Sequence, residues 1–513
     1  MTTVEPVVAR ALPLANLGVA RPRRRWLSKS FRFSLRSFLP GRGTLALRRF
    51  SITEAALLLT LAFITSRALG VVRQVLFNML FGTGPAANAY YAAAYLPETL
   101  FELVAGGALI HAFIPIFLSY EKHGEREAWR LTSLIFNVLL VALTLVTLIG
   151  ELFAPAFVAN WLVPGYAPAT QALTTNLTRI MLLQPLILGL GTVITAALNS
   201  KRQFLLPALS FAIYNVGLIG GLGVSFVVRG AGIYGPTVGI LAAAALQVLV
   251  MVPALVKQGA RYSFTWQLNH PGLHEILRLL IPNVGAVGII SMTPIVDIAF
   301  LSFLPDSASL AAVRNAYMLF ALPLALVAQA VGQAAMPQLA TLATAQKYVR
   351  LRQTFAKVLL TSLVFSLLAA LLLALLGQSA IRLLFQHGAF DAHSSSVTYL
   401  ALLGYALALP GQALASLLSL TFYAMKNALV PLIVCVVSLL AHIGGLFLLS
   451  ALFSGSRQIL AIPLALAVDG CVSTLLLGLL LFQGLRSKVR KDKGMQRLAS
   501  QRAYRAACLA PKD

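Results

Sequence analysis

Charged residues are scarce in this chain of 513 residues: only 11% are Asp, Glu, Lys or Arg, whereas 59% are hydrophobic. A soluble globular protein carries about 25% charged residues, so the composition excludes a soluble domain as the main body. Acidic residues are the rarest charged class, with 15 Asp and Glu against 40 Lys and Arg, which gives a formal net charge of +25. The mean hydropathy of +0.84 predicts an integral membrane protein.

Cysteine is also scarce, with three residues in the chain. Their spacing matches neither a metal site nor a disulfide framework. The chain lacks the G-x-x-x-x-G-K-[ST] motif for nucleotide phosphates and the H-E-x-x-H motif for zinc. We therefore expect no metal, no cofactor and no enzymatic catalysis. For a polytopic protein this leaves transport, or the holding of a partner, as the function.

Positive charge is concentrated at the two ends of the chain. Residues 1–50 are rich in arginine and hold one acid, Glu5, and residues 486–513 are rich in Lys and Arg. Nucleic-acid binding is one interpretation, but the pattern favours cytoplasmic tails that contact anionic lipids, with no nucleic-acid partner. Residues 1–50 lack a continuous apolar run, so we interpret them as a disordered extension and not as a secretory signal.

Long apolar runs predict twelve membrane-spanning helices, since one span needs about 20 mainly apolar residues. The predicted bounds are 54–80, 88–118, 130–157, 171–198, 205–228, 234–256, 273–301, 307–339, 353–377, 395–424, 428–452 and 459–484. Basic residues fall mainly in the loops after even-numbered helices. By the positive-inside rule, we expect a multi-pass protein of the inner (cytoplasmic) membrane with both termini in the cytoplasm.

A faint internal repeat divides the membrane body into two halves. Leu-Pro at Pro97 precedes A-F-I-P at Pro115, and Leu-Pro at Pro323 precedes A-A-M-P at Pro337, six helices later. We therefore expect two pseudo-symmetric six-helix lobes with a site between them, as in many transporters. The predicted parts are a basic extension (1–50), an N-terminal lobe (51–257), a cytoplasmic linker (258–272), a C-terminal lobe (273–485) and a basic tail (486–513).

Ionisable residues within the apolar helices are the candidate functional residues, because such groups are costly in a membrane and usually face a cavity or a partner. Arg67 and Arg73 suit an anionic or diphosphate headgroup, since arginine binds phosphate through two hydrogen bonds. Glu98 and Glu102 share one helix face and can bind cations or protons. An alternative is that one of these carboxylates neutralises Arg67. Further candidates, each equally well explained by a structural ion pair, are Arg179, Asp297, Arg314 and Asp469.

Several motifs carry a family resemblance. SRALGVVRQ (66–74), FGTGPAANAYYAA (81–93) and AFIPIF (112–117) resemble the MurJ (MviN) family of lipid II flippases in the MOP exporter superfamily. Similar segments further along are 196–215, 384–392 and 422–431. The resemblance implies two lobes around a central cationic cavity and alternating access. It also implies the translocation of lipid II, an undecaprenyl-diphosphate-linked peptidoglycan precursor, or of a related lipid-linked saccharide, across the cytoplasmic membrane.

The same resemblance implies that Ser66, Arg67 and Arg73 bind the anionic headgroup. The chain departs from the family pattern at Gln74 and Asn88, which stand in place of acids, at Glu102, which stands in place of a basic residue, and at Met318, which stands in place of an arginine. The family usually has fourteen helices, and twelve are predicted here. The predicted substrate-binding set is Ser66, Arg67, Arg73, Asn88, Glu98 and Glu102.

Three hypotheses for the function follow. A flippase predicts that Arg67 and Arg73 face a central cavity. An ion-coupled exporter of amphiphilic cations predicts that Glu98 and Glu102 face the cavity without an arginine partner. A non-transporting scaffold predicts that all intramembrane charges are paired. For the flippase, the expected partners are the lipid-linked precursor, anionic lipids at the tails and cell-wall synthesis proteins, with coupling by the membrane potential or an ion.

Overall fold

The structure, a computed structural model, is entirely helical in its regular secondary structure within the residues that it describes. The described residues are 52–105, 108–228, 230–306, 308–425 and 427–509. The prediction of an all-α polytopic membrane protein is confirmed. The predicted extension at residues 1–50 lies outside the described residues.

The helices follow one another with short connections. In the N-terminal half they are α1 (Ile52–Phe81), α2 (Pro85–Ala105), α3 (Ala108–Glu121), α4 (Glu125–Phe157), α5 (Pro168–Met181), α6 (Leu183–Ser200), α7 (Leu205–Val227), α8 (Tyr234–Leu249) and α9 (Val252–Lys257). In the C-terminal half they are α10 (Pro271–Ile290), α11 (Met292–Ser302), α12 (Ser309–Leu324), α13 (Val331–Thr344), α14 (Tyr348–Phe385), α15 (Ala392–Ala424), α16 (Leu429–Leu452) and α17 (Ala461–Leu509). π-Helical turns follow α4 (Val158–Leu162) and α12 (Ala325–Ala330), and a 3₁₀ turn precedes α17 (Gly455–Leu460).

Within the described residues, ten helical stretches are long and apolar enough to span a membrane. Of the two remaining predicted spans, 273–301 is divided between two shorter helices, α10 and α11. The span 88–118 is described as α2 and α3, and residues 106–107 between them lie outside the described residues. At the other end of the chain, α17 continues past the predicted end of the last span, through the basic tail to Leu509.

The helices form two bundles that are built from close contacts. In the first, α7 packs against α1 and α8. A Cβ atom on Gly221 of α7 would lie 2.6 Å from the Cα atom of Gly239 on α8, so glycine is required for this approach. Small residues at such crossings are how membrane helices associate. In the second bundle, α15 packs against α12, α14 and α17.

The two bundles meet at the end of the molecule that carries the loops after α1, α4, α11 and α14. These loops follow the first, third, seventh and ninth predicted spans, so we call this end the odd-loop end. One buried apolar cluster there joins Tyr95 of α2 and Val158 after α4 to Ile298 of α11 and Phe320 of α12. Towards the opposite end, one described cluster unites α3, α4, α6 and α10. A second unites α13 to α17. The bundles are therefore joined at the odd-loop end and have separate cores at the opposite end.

The helix α10 packs on the N-terminal bundle although it follows the linker. Pro271 occupies its first turn, and the His270 side chain accepts a hydrogen bond from the Gly272 amide at 3.2 Å. The linker before it lies over α4, where Tyr262 donates to Asn137 Oδ1 at 2.9 Å and Asn137 donates to the Thr265 carbonyl at 3.2 Å. The predicted seventh helix therefore connects the bundles, with α10 on one bundle and α11 beside the other.

Candidate functional site

One face of α2 runs along the boundary between the bundles. Its residues recur at intervals of three or four, which places them on one side of a helix. They are Asn88, Tyr91, Tyr95, Glu98 and Glu102. Asn88 and Tyr95 are buried near the odd-loop end, whereas Glu102 is exposed. This face is therefore buried at one end and exposed at the other.

Two of these residues contact the C-terminal half through its backbone. Asn88 Oδ1 accepts a hydrogen bond from the Ala311 amide at 2.8 Å, in the first turn of α12. The Tyr95 hydroxyl donates to the carbonyl of Ser291, where α10 ends and α11 begins. Asn88, which stands at a position where the resembling family has an acid, thus binds a helix N-terminus of the opposite bundle.

A buried network of amide side chains continues this contact. Gln74 Nε2 donates to Asn315 Oδ1 at 2.9 Å and lies 2.5 Å from the Tyr91 hydroxyl. Asn78 Nδ2 also donates to Asn315 Oδ1, at 2.9 Å. Asn78 and Asn315 are fully buried. Because a buried amide without a partner is costly, this network holds α1 to α12.

Two glycine loops close the same end. Gly82 and Gly388 have φ angles of +58° and +61°. A Cβ atom on Gly82 would lie 2.3 Å from the Ala389 carbonyl oxygen, and one on Gly388 would lie 2.3 Å from the Met79 carbonyl oxygen. The Ala389 amide donates to the Met79 carbonyl at 2.8 Å. We call the contacts of Gln74, Asn78, Asn88 and Asn315, together with these two loops, the seal.

Arg67 lies on the seal-facing side of α1. It is seven residues before Gln74 and eleven before Asn78, so the three side chains project within about 20° of one direction. Along the axis, Arg67 lies about 16 Å from Asn78, away from the odd-loop end. Its side chain is exposed. It is therefore an exposed cation on the side of α1 that carries Gln74 and Asn78.

The predicted carboxylate partner of Arg67 is engaged elsewhere. Glu98 Oε2 accepts a hydrogen bond from Arg314 Nη2 at 2.7 Å, so the pair joins α2 to α12 across the bundles. In the described part of the chain, no carboxylate oxygen lies within 4.0 Å of the Arg67 or Arg73 guanidinium. The two arginines of α1 thus bring uncompensated positive charge to the boundary.

Arg73 and Arg314 approach the same tyrosine from opposite bundles. Both guanidinium groups lie near enough to act electrostatically on the Tyr91 hydroxyl. Arg73 and Glu98 both act on Tyr90 of α2. Arg73 and the Glu98–Arg314 pair therefore act on neighbouring tyrosines of α2.

Ser66 has a different environment. Its hydroxyl oxygen accepts a hydrogen bond from Asn215 Nδ2 at 3.2 Å, which ties α1 to α7 within the N-terminal bundle. Among the predicted substrate-binding residues, Ser66 is therefore held by a neighbouring helix, beside the exposed Arg67.

A second polar cluster lies within the C-terminal half. His442 of α16 is fully buried, and its Nε2 atom lies 2.8 Å from Asp297 Oδ1 of α11. Asp469 of α17 accepts a hydrogen bond from Gln412 Nε2 at 2.7 Å. In the ranges that the structure describes, no three His, Cys, Asp or Glu side chains are placed to hold a metal ion.

Basic charge at the end opposite the seal is partly neutralised. Lys201, which follows α6, lies 2.5 Å from Glu121 Oε1 and 2.6 Å from Glu125 Oε1. Partial burial lowers the pKa of Lys201, but the two carboxylates more than offset this, so the pKa is raised. Lys201 therefore stays charged and links α3, α4 and the loop after α6.

Comparisons with family models and with individual proteins point to the same family. The family model described as lipid II flippase MurJ matches residues 77–508. The chain is 28% identical to a probable lipid II flippase MurJ of Bdellovibrio bacteriovorus, over 77% of this chain and 76% of that protein. It is 26% identical to the lipid II flippase MurJ of Burkholderia cenocepacia, over 82% of this chain and 81% of that protein.

Two solved structures have a similar fold. A lipid II flippase MurJ in an inward closed conformation has a TM-score of 0.70 and 25% identity, covering 82% of this chain and 86% of that one. An inward-facing multidrug transporter of the MATE family has a TM-score of 0.71, covering 85% of this chain and 99% of that one. Its identity is 12%, so that likeness concerns the fold alone.

Proposed function

The chain belongs to the MurJ family of lipid II flippases, and from that premise we propose that it moves lipid II across the cytoplasmic membrane by alternating access. The observation that carries the proposal is the exposed Arg67, which lies on the side of α1 that carries Gln74 and Asn78 and has no carboxylate within 4.0 Å among the described residues. Uncompensated arginines suit the diphosphate of such a lipid, because guanidinium groups bind phosphate oxygens in pairs. The substrate-binding set proposed is the predicted one: Ser66, Arg67, Arg73, Asn88, Glu98 and Glu102.

The seal sets the state from which transport would begin. The bundles touch at the odd-loop end and have separate cores at the other end. With both termini and the basic loops in the cytoplasm, as the positive-inside rule favours, the site would open to the cytoplasm. A lipid headgroup would enter there, and opening of the seal would then expose it to the other side.

The two other hypotheses fit the contacts less well. A scaffold requires that all intramembrane charges be paired, and Arg67 and Arg73 have no carboxylate within 4.0 Å among the described residues. An exporter of cations requires that its carboxylates be free of arginine, and Glu98 is paired with Arg314. The contacts therefore favour an anionic cargo.

Replacing Arg67 by alanine is expected to slow lipid II movement at least tenfold. A hydrogen bond to a charged group contributes about 1.5–3 kcal/mol, and 1.4 kcal/mol corresponds to a factor of ten. The measurement is protein-dependent movement of labelled lipid II in proteoliposomes. Arg382→Ala is the matched control, because Arg382 is an exposed arginine at the end of α14. Wild-type protein that is folded but moves no lipid II would exclude this substrate.

We propose that the membrane potential or an ion gradient drives net transport. A potential of 100 mV contributes about 2.3 kcal/mol for each charge that crosses the membrane. For a diphosphate headgroup leaving a negative interior, collapse of the potential with valinomycin and potassium is expected to lower the net rate. If the rate follows an imposed sodium or proton gradient at zero potential, that ion is the coupling species. Dependence on neither would contradict the proposal.

The positive charge at the two ends of the chain indicates further binding partners. The basic segments 1–50 and 486–513 are proposed to contact anionic lipids, because clustered Lys and Arg next to a membrane are attracted to its negative surface. Cell-wall synthesis proteins are proposed as additional partners, since the cargo is a peptidoglycan precursor.

A further inference from the structure

The linker between the two halves, residues 258–272, carries a row of exposed apolar side chains. Each of them is between 46% and 80% exposed, and they are Tyr262, Phe264, Trp266 and Leu268. Residues that alternate with them hold the linker to α4. The Ser263 amide donates to Ser133 Oγ at 3.2 Å, and the Thr265 carbonyl accepts the hydrogen bond from Asn137. Contiguous exposed apolar side chains mark contact with a partner, a ligand or a membrane.

An open groove of about 500 Å³ lies between the linker and α4. Its lining residues are Asn137, Leu140, Val141, Tyr262, Phe264 and Trp266. The Asn137 amide and the Tyr262 hydroxyl are already hydrogen-bonded, to each other at 2.9 Å and from Asn137 to the linker backbone at 3.2 Å. Most of the remaining surface is hydrocarbon or aromatic. The groove therefore suits a hydrocarbon chain.

The groove lies at the level of the lipid headgroups. α4 and the turn after it form one helical stretch, Glu125–Leu162, that is long and apolar enough to span a membrane. Asn137 precedes Leu162 by 25 residues, which is about 38 Å along the helix. A bilayer is about 40–45 Å thick with its headgroups, so with Leu162 at one surface Asn137 lies near the other. Trp and Tyr side chains are enriched at that level.

The same side of α4 extends the groove in both directions. Towards the middle of the helix, exposed apolar residues follow Asn137 at intervals of three or four. They are Val141, Leu145, Leu148 and Leu152. Towards the helix start, the exposed Arg130 lies seven residues before Asn137, so it projects within about 20° of the same direction, about 10 Å away. One side of α4 thus presents a cation and then an apolar surface, in the order of a phospholipid headgroup and its chain.

Two arginines beside the groove are available to a phosphate. Arg130 and Glu127 both act electrostatically on the histidine at the end of the linker. Arg261 acts on Glu125, which is already paired with Lys201 at 2.6 Å. Among the described residues, neither arginine has a carboxylate oxygen within 4.0 Å. Guanidinium groups bind phosphate oxygens in pairs.

We propose that the linker and α4 form a binding site for a membrane phospholipid with an anionic headgroup. One acyl chain lies in the groove and along α4, and the phosphate contacts Arg130 and Arg261. The bound lipid fastens the linker to α4 and so fixes the start of α10, the helix that packs on the N-terminal bundle. The inference goes beyond the proposed function, because it concerns a resident lipid and not the cargo.

Quenching of tryptophan fluorescence by brominated lipids tests the site, because bromine atoms on an acyl chain quench an indole ring that they touch. The chain has four tryptophans. Replacing Trp26, Trp129 and Trp161 by phenylalanine leaves Trp266, which lines the groove. The protein is reconstituted in phosphatidylcholine vesicles with a small fraction of brominated phosphatidylglycerol or brominated phosphatidylcholine. The anionic lipid is expected to quench Trp266 about threefold more strongly, since basic residues at a membrane surface attract anionic lipids.

Further variants locate the site on the protein. Arg130→Gln with Arg261→Gln removes both cations but keeps the basic tails, and it is expected to abolish the preference. Val141→Phe fills the groove and is expected to weaken quenching by both lipids. Leu145→Phe is the matched control, because Leu145 lies one turn further along α4 and outside the groove lining. A protein that retains Trp161 alone reports the general lipid contact at the odd-loop end, where equal quenching by the two lipids is expected.

Several outcomes overturn the inference. Equal quenching of Trp266 by the two lipids excludes a site for an anionic headgroup, and no quenching by either lipid excludes a chain from the groove. A preference that survives the double arginine variant assigns the lipid to the basic tails. Thermal unfolding shows whether each variant is folded.

Native mass spectrometry provides a second measurement that leaves all four tryptophans in place. After incubation with phosphatidylglycerol, the wild-type chain is expected to retain more lipid than the Arg130→Gln, Arg261→Gln chain, and equal retention would contradict the inference. Lipid II movement by the folded wild type tests the proposed function separately, so either proposal can fail while the other stands.

Discussion

A Gly388→Ala variant is expected to have at least a tenfold lower ratio of sealed to unsealed molecules. Gly388 has a φ angle of +61°, which costs a residue with a Cβ atom about 1–2 kcal/mol. The new Cβ atom would also lie 2.3 Å from the Met79 carbonyl oxygen, a backbone atom that cannot rotate away. Since 1.4 kcal/mol is a factor of ten, strain and clash together exceed that factor. Transport is expected to fall because one of its two end states is lost.

A disulfide across the seal measures this ratio. The Thr83 and Ser394 hydroxyl oxygens lie 2.7 Å apart, one on each side of the boundary. A Thr83→Cys, Ser394→Cys pair, in a background without the natural cysteines, is expected to cross-link readily in the sealed state. Gly455→Ala is the control, because Gly455 has the same φ of +61° but no atom within 4 Å of the place that a Cβ atom would occupy. Equal cross-linking in both variants would contradict the prediction.

The helical fold could be predicted from the sequence because the length of an apolar run is a local property of the chain. A run of about 20 apolar residues must be helical in a bilayer, where each backbone amide needs a partner. Pro97, which looked like a possible break in the second predicted span, lies inside α2.

The charged residues of the candidate site could be identified from the sequence, but their hydrogen-bond and ion-pair partners could not. Arg67 and Glu98 could be identified because a charge in an apolar helix is unusual. Their partners depend on which helix faces which after folding. Arg314 is 216 residues away from Glu98 in the chain, and no periodicity within one helix relates such distant positions. Asn78 and Asn315 were missed altogether, although Asn78 follows Arg67 and Gln74 on one face of α1.

The contact between the glycine loops of the seal also could not be predicted from the sequence. The sequence shows G-T-G-P after the first span as a turn, and it shows a glycine in L-F-Q-H-G-A-F-D-A. Only the packed structure shows that the first loop meets the second, where the Ala389 amide binds the Met79 carbonyl at 2.8 Å. The requirement for glycine here comes from contact between the bundles as well as from the local turn.

Replacing His442 by leucine is expected to lower the free energy of unfolding by about 3–5 kcal/mol, the usual cost of breaking a buried ion pair. His442 is fully buried, and its Nε2 atom lies 2.8 Å from Asp297 Oδ1. Leucine leaves that carboxylate without its histidine partner. Asp469 acts electrostatically on Asp297, so the variant also leaves the repulsion between these two acidic groups without the histidine to offset it. Chemical unfolding in detergent measures the loss.

Two further variants separate the charge of this pair from its packing. The double variant Asp297→Leu, His442→Leu removes both polar groups, and it is expected to recover most of the lost stability because an apolar pair can replace a buried ion pair at little cost. Arg179→Ala breaks an exposed pair, with the Arg179 Nε and Glu151 Oε2 atoms 3.7 Å apart, and is expected to cost less than about 1 kcal/mol. A double variant as unstable as His442→Leu alone would show that the histidine ring stabilises α16 through its shape. Recovery would show that the cost lies in the unpaired carboxylate, and that α11 and α16 are held together by a charge that neither helix can bury alone.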